Sequence, residues 1–345
     1  MMKQQILEDV RNYYGKGLRT NEDLKTSACC LPETPPPRVQ ALLENVHATV
    51  QAKFYGCGSP LPVAVQGRTV LDLGCGTGRD VFLLSQIIGA QGQVIGVDMT
   101  DEQLSVANQY TAWHMDKFGY KKPNVRFVKG YIEDLKTAGI KDNSIDVVIS
   151  NCVINLSPDK EAVFREIVRI LKPGGELYFS DVFAGRRIPQ EQQNDKVLRG
   201  ECLGGAMYIE DFRRMLQKTG IPDYRTVLKR KLTLDDPYLQ QKAGMIDFYS
   251  VTVRAFKVDL EDKCENYGHV AYYQGTIPEC PHSFTLDDHH AFKTGLPMPI
   301  CGNTANMLSQ TRYADHFRVE GDFSTHFGPF ACGPSNSDEI AEACC

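Results

Sequence analysis

Short apolar runs alternate with amphipathic stretches through the middle of the chain. TVLDLG (69–74), QVIGVD (93–98), VRFVKG (125–130), SIDVVIS (144–150) and ELYFSDV (176–182) read as strands. Between them RDVFLLSQIIG (79–89) reads as a helix, and a longer helix is expected from about Asp101 to Phe118. From Asp159 to Leu171, Val163, Phe164, Ile167, Val168 and Leu171 recur at helical spacing and predict one buried face. Upstream, Val39, Leu42, Leu43, Val46, Val50 and Phe54 form a single helical stripe, and Pro35, Pro36 and Pro37 can precede that helix but not interrupt it. Downstream come a helix near Ile209–Lys218 and two strand-like runs, YRTVLKRKLTL (224–234) and FYSVTVRAF (248–256), suited to extend the sheet antiparallel at its edge. Strand–helix alternation at this spacing predicts an α/β fold, a mostly parallel sheet with helices on both faces.

Composition sharpens the organisation. The 345 residues carry 38 basic and 43 acidic side chains, a net charge of −5, with 42% hydrophobic residues. No apolar run approaches the ~18–20 residues of a membrane span, and the N-terminus lacks the apolar core of a secretory signal. A cytoplasmic protein without membrane or nucleic-acid partners is expected, with monomer as the default state. From Phe256 onward the chain holds five basic and thirteen acidic residues, six of its eight histidines and six of its twelve cysteines. That shift sets a boundary near residue 256. The expected units are an N-terminal helical segment with a thiol loop (1–65), a ligand-binding core (66–184), an insertion with the last sheet strands (185–257), and a small Cys/His-rich module (258–345) with a mobile end.

The first strand runs into Asp72-Leu73-Gly74-Cys75-Gly76-Thr77-Gly78 before a helix begins. Glycines in such a turn let backbone approach a ligand closely. Asp98 ends the second strand, where a carboxylate can accept both hydroxyls of an adenosine ribose. The spacing Gly-x-Gly-x-Gly differs from the dinucleotide fingerprint, and Asp72 would repel a pyrophosphate. S-adenosylmethionine has no phosphate; its sulfonium and ammonium favour a carboxylate neighbour. At ~4 Å and an effective dielectric of ~20, one such contact is worth about 4 kcal/mol before desolvation.

Gly130-Tyr131-Ile132-Glu133-Asp134, after the third strand, resembles the segment of class I methyltransferases that meets adenine through a backbone amide (Ile132) and a side chain (Glu133). Lys172-Pro173-Gly174-Gly175 also looks like a methyltransferase turn. Ser150-Asn151-Cys152 follows the fourth strand, at the end that faces the transferable methyl in this architecture. A thiol is therefore expected beside the methyl, with Asn151 either meeting the methionine part of the donor or capping the next turn.

Tyr55-Gly56-Cys57-Gly58, the SNCVINL segment around Cys152 and GECLGGA around Cys202 together resemble arsenite methyltransferases. The Cys29 loop and Tyr273-Gln274-Gly275-Thr276-Ile277-Pro278 are similar to that family as well. The resemblance implies a Rossmann-like class I methyltransferase domain and trivalent arsenic held by Cys57, Cys152 and Cys202. It implies Cys29 in a redox cycle, with Cys30 as the adjacent alternative, and Met99 and Gln103 joining Asp72, Gly74, Gly76, Asp98, Ile132, Glu133 and Asn151 around the donor. Arsenite or its glutathione complex would be the substrate, and glutathione or thioredoxin the reductant. Soft trivalent arsenic suits thiolates, and three sulfurs leave its lone pair uncovered. Cys75 is expected to be a small packing residue. Cys264, Cys280, Cys301 and Cys332 lack the paired spacing of zinc sites, and neither they nor Cys344 and Cys345 receive a role. The alternatives are a methyltransferase acting on carbon, oxygen or nitrogen of a small organic molecule, and a thiol-rich metal buffer.

Overall fold

A computed structural model describes residues 2–17, 37–56 and 58–332. Eight strands build the main sheet: β1 (Thr69–Leu73), β2 (Gln93–Asp98), β3 (Val125–Lys129), β4 (Ile145–Asn151), β5 (Leu171–Ala184), β6 (Met207–Tyr208), β7 (Tyr224–Lys231) and β8 (Phe248–Phe256). Their order is β3-β2-β1-β4-β5-β8-β7, with β6 beside β5. The first five pair in parallel, whereas β8 joins β5 and β7 joins β8 antiparallel, as the late strand patterns predict. Chain order reverses between β1 and β4, so the crevice for a ligand lies beyond their carboxyl ends.

Period-two alternation makes two cores from one sheet. Val70, Val94, Val147 and Ile149 point to one face with Val81, Phe82, Leu84 and Met115. Leu71, Ile95, Val97 and Val148 point to the other with Phe164, Ile167 and Phe212. The N-terminal helices are α1 (Met2–Asn12), α2 (Pro37–Leu43) and α3 (Ala48–Gln51). The crossovers are α4 (Arg79–Ile88), α5 (Asp101–Gln109), α6 (Thr111–Phe118) and α7 (Lys160–Ile170). Short helices α8 (Gln190–Asn194) and α9 (Lys196–Gly200), then α10 (Ile209–Thr219) and α11 (Pro237–Ala243), fill the stretch after β5. A third apolar cluster, with Val182, Leu198, Leu203 and Phe248, covers the carboxyl end of β5 and contains Cys152 and Cys202.

Two long helices expected from periodicity are each divided. The stripe from Val39 to Phe54 breaks after Leu43 and restarts at α3, where the His47 ring accepts from Thr49 N at 3.2 Å; Phe54 lies beyond the helix. Gln51 Nε2 donates to Leu43 O and Val46 O, satisfying carbonyls the break exposes. The 101–118 helix breaks at Tyr110, whose ring stacks on His47 with centroids 4.0 Å apart. Neither capping contact has a sequence signature, because histidine is an unusual N-cap.

After β8 come β9 (Val270–Tyr273), β10 (Ser283–Thr285), β11 (Ala291–Lys293), β12 (Pro297–Pro299), α12 (Gly302–Ser309) and β13 (Phe317–Glu320). They form a β12-β9-β13 sheet and a β10-β11 pair around Tyr273, Phe284, Phe292, Met307 and Tyr313. A buried charge cluster ties this region to the main sheet. Glu176 on β5 pairs with Arg254 on β8 at 3.0 Å and with Arg312, which also donates to Val63 O at 3.0 Å.

Candidate active site

A cavity of about 980 Å³ opens at the β1/β4 crevice. Its wall includes Asp72, Gly74, Gly76, Asp98, Met99, Gln103, Ile132, Glu133 and Asn151, together with Cys152. The glycine loop forms its floor. Gly74 has φ +71°, and a Cβ there would meet Val153 at 2.4 Å, so both conformation and space demand glycine. Asp98 ties the loop down: its Oδ2 accepts from Gly76 N at 2.9 Å and its Oδ1 from Thr100 N at 2.8 Å.

Carboxylates crowd this floor. Burial, then the charges of Asp80 and Asp98, push the Asp72 carboxyl well above the ordinary range. Burial also raises Asp98, against the pull of the Gly76 and Thr100 amides. Arg79 neutralises part of the charge: it pairs with Asp80 at 2.8 Å while its guanidinium stacks 3.7 Å over the Phe54 ring. A cationic ligand would relieve what remains.

The thiols lie at the rim. Cys152 and Cys202 are nearly completely buried and both adopt left-handed backbone, φ 58° and 61°. Only two other described non-glycine residues do so, Ala64 and Asn143. Such strain concentrates where function fixes a side chain. The Cys202 thiol donates to Cys152 O at 3.3 Å, and the Tyr14 hydroxyl lies 3.8 Å from Cys202 Sγ. Cys152 is disulfide-bonded, whereas Cys75, Cys202, Cys264, Cys280, Cys301 and Cys332 are free. The bare thiol expected at this position is therefore an oxidised one here. Cys57, Cys29 and Cys30 lie outside the described residues, as do Cys344 and Cys345. The neighbours of Cys57 are defined: Gly58 N donates to Asn151 Oδ1 at 3.1 Å and Gly58 O accepts from Asn151 Nδ2 at 2.8 Å. At Gly56 a Cβ would sit 2.5 Å from Asn151 Nδ2.

Comparison with known proteins bears directly on this arrangement. A methyltransferase domain model matches residues 64–220, and the arsenite methyltransferase C-terminal domain model matches residues 266–342. An arsenite methyltransferase from Aquipseudomonas alcaligenes is 52% identical over 94% of both chains, and that of Mus musculus is 43% identical over 91% of this chain and 83% of its own. The crystal structure of an arsenic(III) S-adenosylmethionine methyltransferase from Chlamydomonas reinhardtii matches with TM-score 0.83 at 48% identity, covering 86% of this chain and all of that one. The chain belongs to the arsenite methyltransferase family.

Within this arsenite methyltransferase fold, all nine donor-site residues expected from the sequence share the one cavity. One of these, Asn151, and the expected arsenic ligand Cys202 differ from expectation in detail. Asn151 lines the wall, but its amide also donates to Asp80 Oδ2 at 3.1 Å besides holding Gly58, so it clamps Gly58 to the end of β4. Cys202 does not line the cavity; it stands behind Cys152, bonded to that residue's carbonyl. Cys75 packs beneath the loop, where a Cβ on Gly96 would meet its sulfur at 2.7 Å.

Sequence reasoning missed a polar layer beneath the thiols. Lys160 donates to Ser157 O at 3.1 Å, and burial lowers it to about 8, with Asp181, Glu133 and Cys202 pulling the other way. Asp181, raised by burial to about 7, accepts from Asn155 N at 3.1 Å, Asn155 Nδ2 at 2.7 Å and Val182 N at 2.8 Å. Tyr14, Phe54, Arg79 and Asp80 were also unforeseen. Only Asp80 carried a signal, a second acid just past the glycine loop, and an acid in a helix's first turn needs no ligand to explain it.

Proposed function

We propose that this protein methylates trivalent arsenic with S-adenosylmethionine, arsenic being held by the sulfurs of Cys57, Cys152 and Cys202. The observation that carries the reading is a strained, buried Cys152 in the wall of a cavity floored by surplus carboxylate, with a second strained, buried cysteine, Cys202, directly behind it. The residues present fit the donor. Asp98 suits the ribose hydroxyls, Ile132 and Glu133 the adenine, and Asp72 the ammonium. Gln103 Oε1 is buried without a partner and faces a cavity that could supply one. The donor would supply an electrophilic methyl group to the arsenic lone pair and leave as its thioether; arsenic is thereby formally oxidised by two electrons, which return to it when two protein thiolates join as a disulfide.

The chain's own work is positioning. Asn151, steadied by Asp80, holds Gly58 against the end of β4, and the apolar cluster around Cys152 and Cys202 keeps water away. Fixed approach of the two reactants supplies the rate, since no proton needs to leave arsenic. The disulfide at Cys152 supports a reductive step before each capture: two reductant thiols give their electrons and protons, two protein thiols form, and the reductant leaves as its disulfide. Glutathione or thioredoxin would serve. Among the described residues no helix is long and apolar enough to cross a membrane, and the protein is proposed to act as a cytoplasmic monomer.

Anaerobic incubation with arsenite, glutathione and methyl-labelled donor, followed by chromatography of arsenic species, tests this. Label in methylated arsenicals is expected. Label transferred to a small organic acceptor, with arsenite ignored and Cys152→Ser and Cys202→Ser both active, overturns it.

A further inference from the structure

Cysteines that the sequence left without a role meet in the C-terminal region. The sulfurs of Cys264, Cys301 and Cys332 all lie within 4.8 Å of one another, and no other His, Cys, Asp or Glu among the described residues completes a larger group with them. They are 37 and 31 positions apart in sequence, and backbone bonds bring them together. Phe330 N donates to Cys264 O at 2.8 Å, Gly302 N to Glu265 O at 2.9 Å, and Asn266 N to Gly328 O at 2.8 Å. None of the three lines the donor cavity.

The surroundings favour thiolate at Cys301, whose neighbours in the group, Cys264 and Cys332, keep their protons more firmly. Cys301 caps α12, accepting from Thr304 N at 3.4 Å, where the helix dipole stabilises negative charge. The buried Arg225 on β7 reaches Cys264 Sγ with Nη1 at 3.7 Å and Cys301 Sγ with Nη2 at 3.6 Å. Its charge is already met by Asp223 at 2.9 Å.

We propose that Cys264, Cys301 and Cys332 form a second site, separate from the donor cavity, for a thiophilic ion that three sulfurs complete, namely trivalent arsenic. Structural zinc wants four ligands, and among the described residues the group offers three. A neutral arsenic trithiolate also adds no charge beside the Arg225–Asp223 pair, whereas a dication on three thiolates would leave one net negative charge that the already paired guanidinium does not offset. Binding involves no redox change: arsenous acid exchanges three hydroxides for three thiolates, and the three thiol protons leave with them as water.

The site takes its ligand from the function proposed above, so the test separates the two. Full-length reduced protein is titrated anaerobically with arsenite and weighed by native mass spectrometry. In the double variant Cys152→Ser/Cys202→Ser, one arsenic is expected to remain, with a mass gain of one arsenic less three hydrogens. Adding Cys301→Ser, or independently Cys332→Ser, should abolish it, while adding Cys280→Ser should not. Cys332 lies at the half-exposed end of the described chain, so its loss gives a readout even if Cys301→Ser disturbs α12. Arsenic absent from the double variant, or retained after either substitution, overturns the proposal. So does zinc bound at one per chain that arsenite fails to displace. Equal arsenic counts in wild type and double variant would instead refute the donor-side ligand set and leave this site standing.

Discussion

Cys152 and Cys202 occupy left-handed backbone at the end of β4 and just past α9, held there by Cys152 N donating to Ser180 O and Cys202 N to Arg199 O. Cys264, Cys301 and Cys332 occupy unstrained backbone, gathered by bonds between three loop segments and steadied by one arginine. In the first pair Cys152 lines a cavity and Cys202 stands behind it; the second group offers its sulfurs alone. Left-handed conformation costs about 1–2 kcal/mol per ordinary residue, and the surrounding fold must impose it. On the function proposed above, strain marks the thiols that have to meet a second reactant in a fixed geometry. Thiols that only have to bind can be collected without it.

The largest expected effect breaks the donor side. Cys202→Ser and Cys152→Ser should each reduce arsenic methylation by about 100-fold or more, because a displaced reactant loses the attack geometry. Cys280→Ser should leave it unchanged. Product chromatography checks all three.

Next comes the seam between the regions. Glu176→Gln leaves Arg254 and Arg312 without their buried carboxylate and should destabilise the protein by about 3–5 kcal/mol. Denaturant unfolding measures it, and a change under 1 kcal/mol would mean the two regions are not joined through this cluster.

A smaller effect belongs to the donor side alone. His114 is neutral: its Nδ1 is 2.7 Å from Tyr110 O, its Nε2 accepts from His47 N at 3.1 Å, and its ring stacks on Phe82. Burial lowers its pKa to about 4. Above about pH 6.5 the stabilisation is complete; as pH falls toward 4 the unfolded chain takes up the proton first and up to about 3 kcal/mol is lost. The slope of stability against pH between 4 and 6.5 should flatten in His114→Phe, and an unchanged slope would contradict this assignment.

Smallest is Asp98→Ala, which removes the anchor of Gly76 and the proposed ribose contact. Donor affinity should fall about 10- to 100-fold by calorimetry, with arsenic capture intact.

The parallel sheet, its antiparallel edge and the donor cavity were legible because periodicity, glycine and paired acids act locally. Strand alternation at Val70/Leu71 and Val147/Val148 already encodes two cores. What was not legible is long-range. Nothing near Cys264 announces Cys301 or Cys332, and α12 starts with Gly302, Asn303 and Thr304 behind a cysteine cap, all weak signals for a helix. The α5/α6 break depends on a ring from residue 47, and Lys160 and Asp181 meet only once α7 and β5 have packed.

Arsenic K-edge X-ray absorption of the reduced protein carrying Cys301→Ser, loaded with one equivalent of arsenite, tests the central claim most directly. Three sulfur neighbours are predicted, falling to two sulfurs and one oxygen when Cys202→Ser is added. A first shell unchanged by that substitution, or one composed of oxygen, would contradict the assignment of arsenic to these thiols.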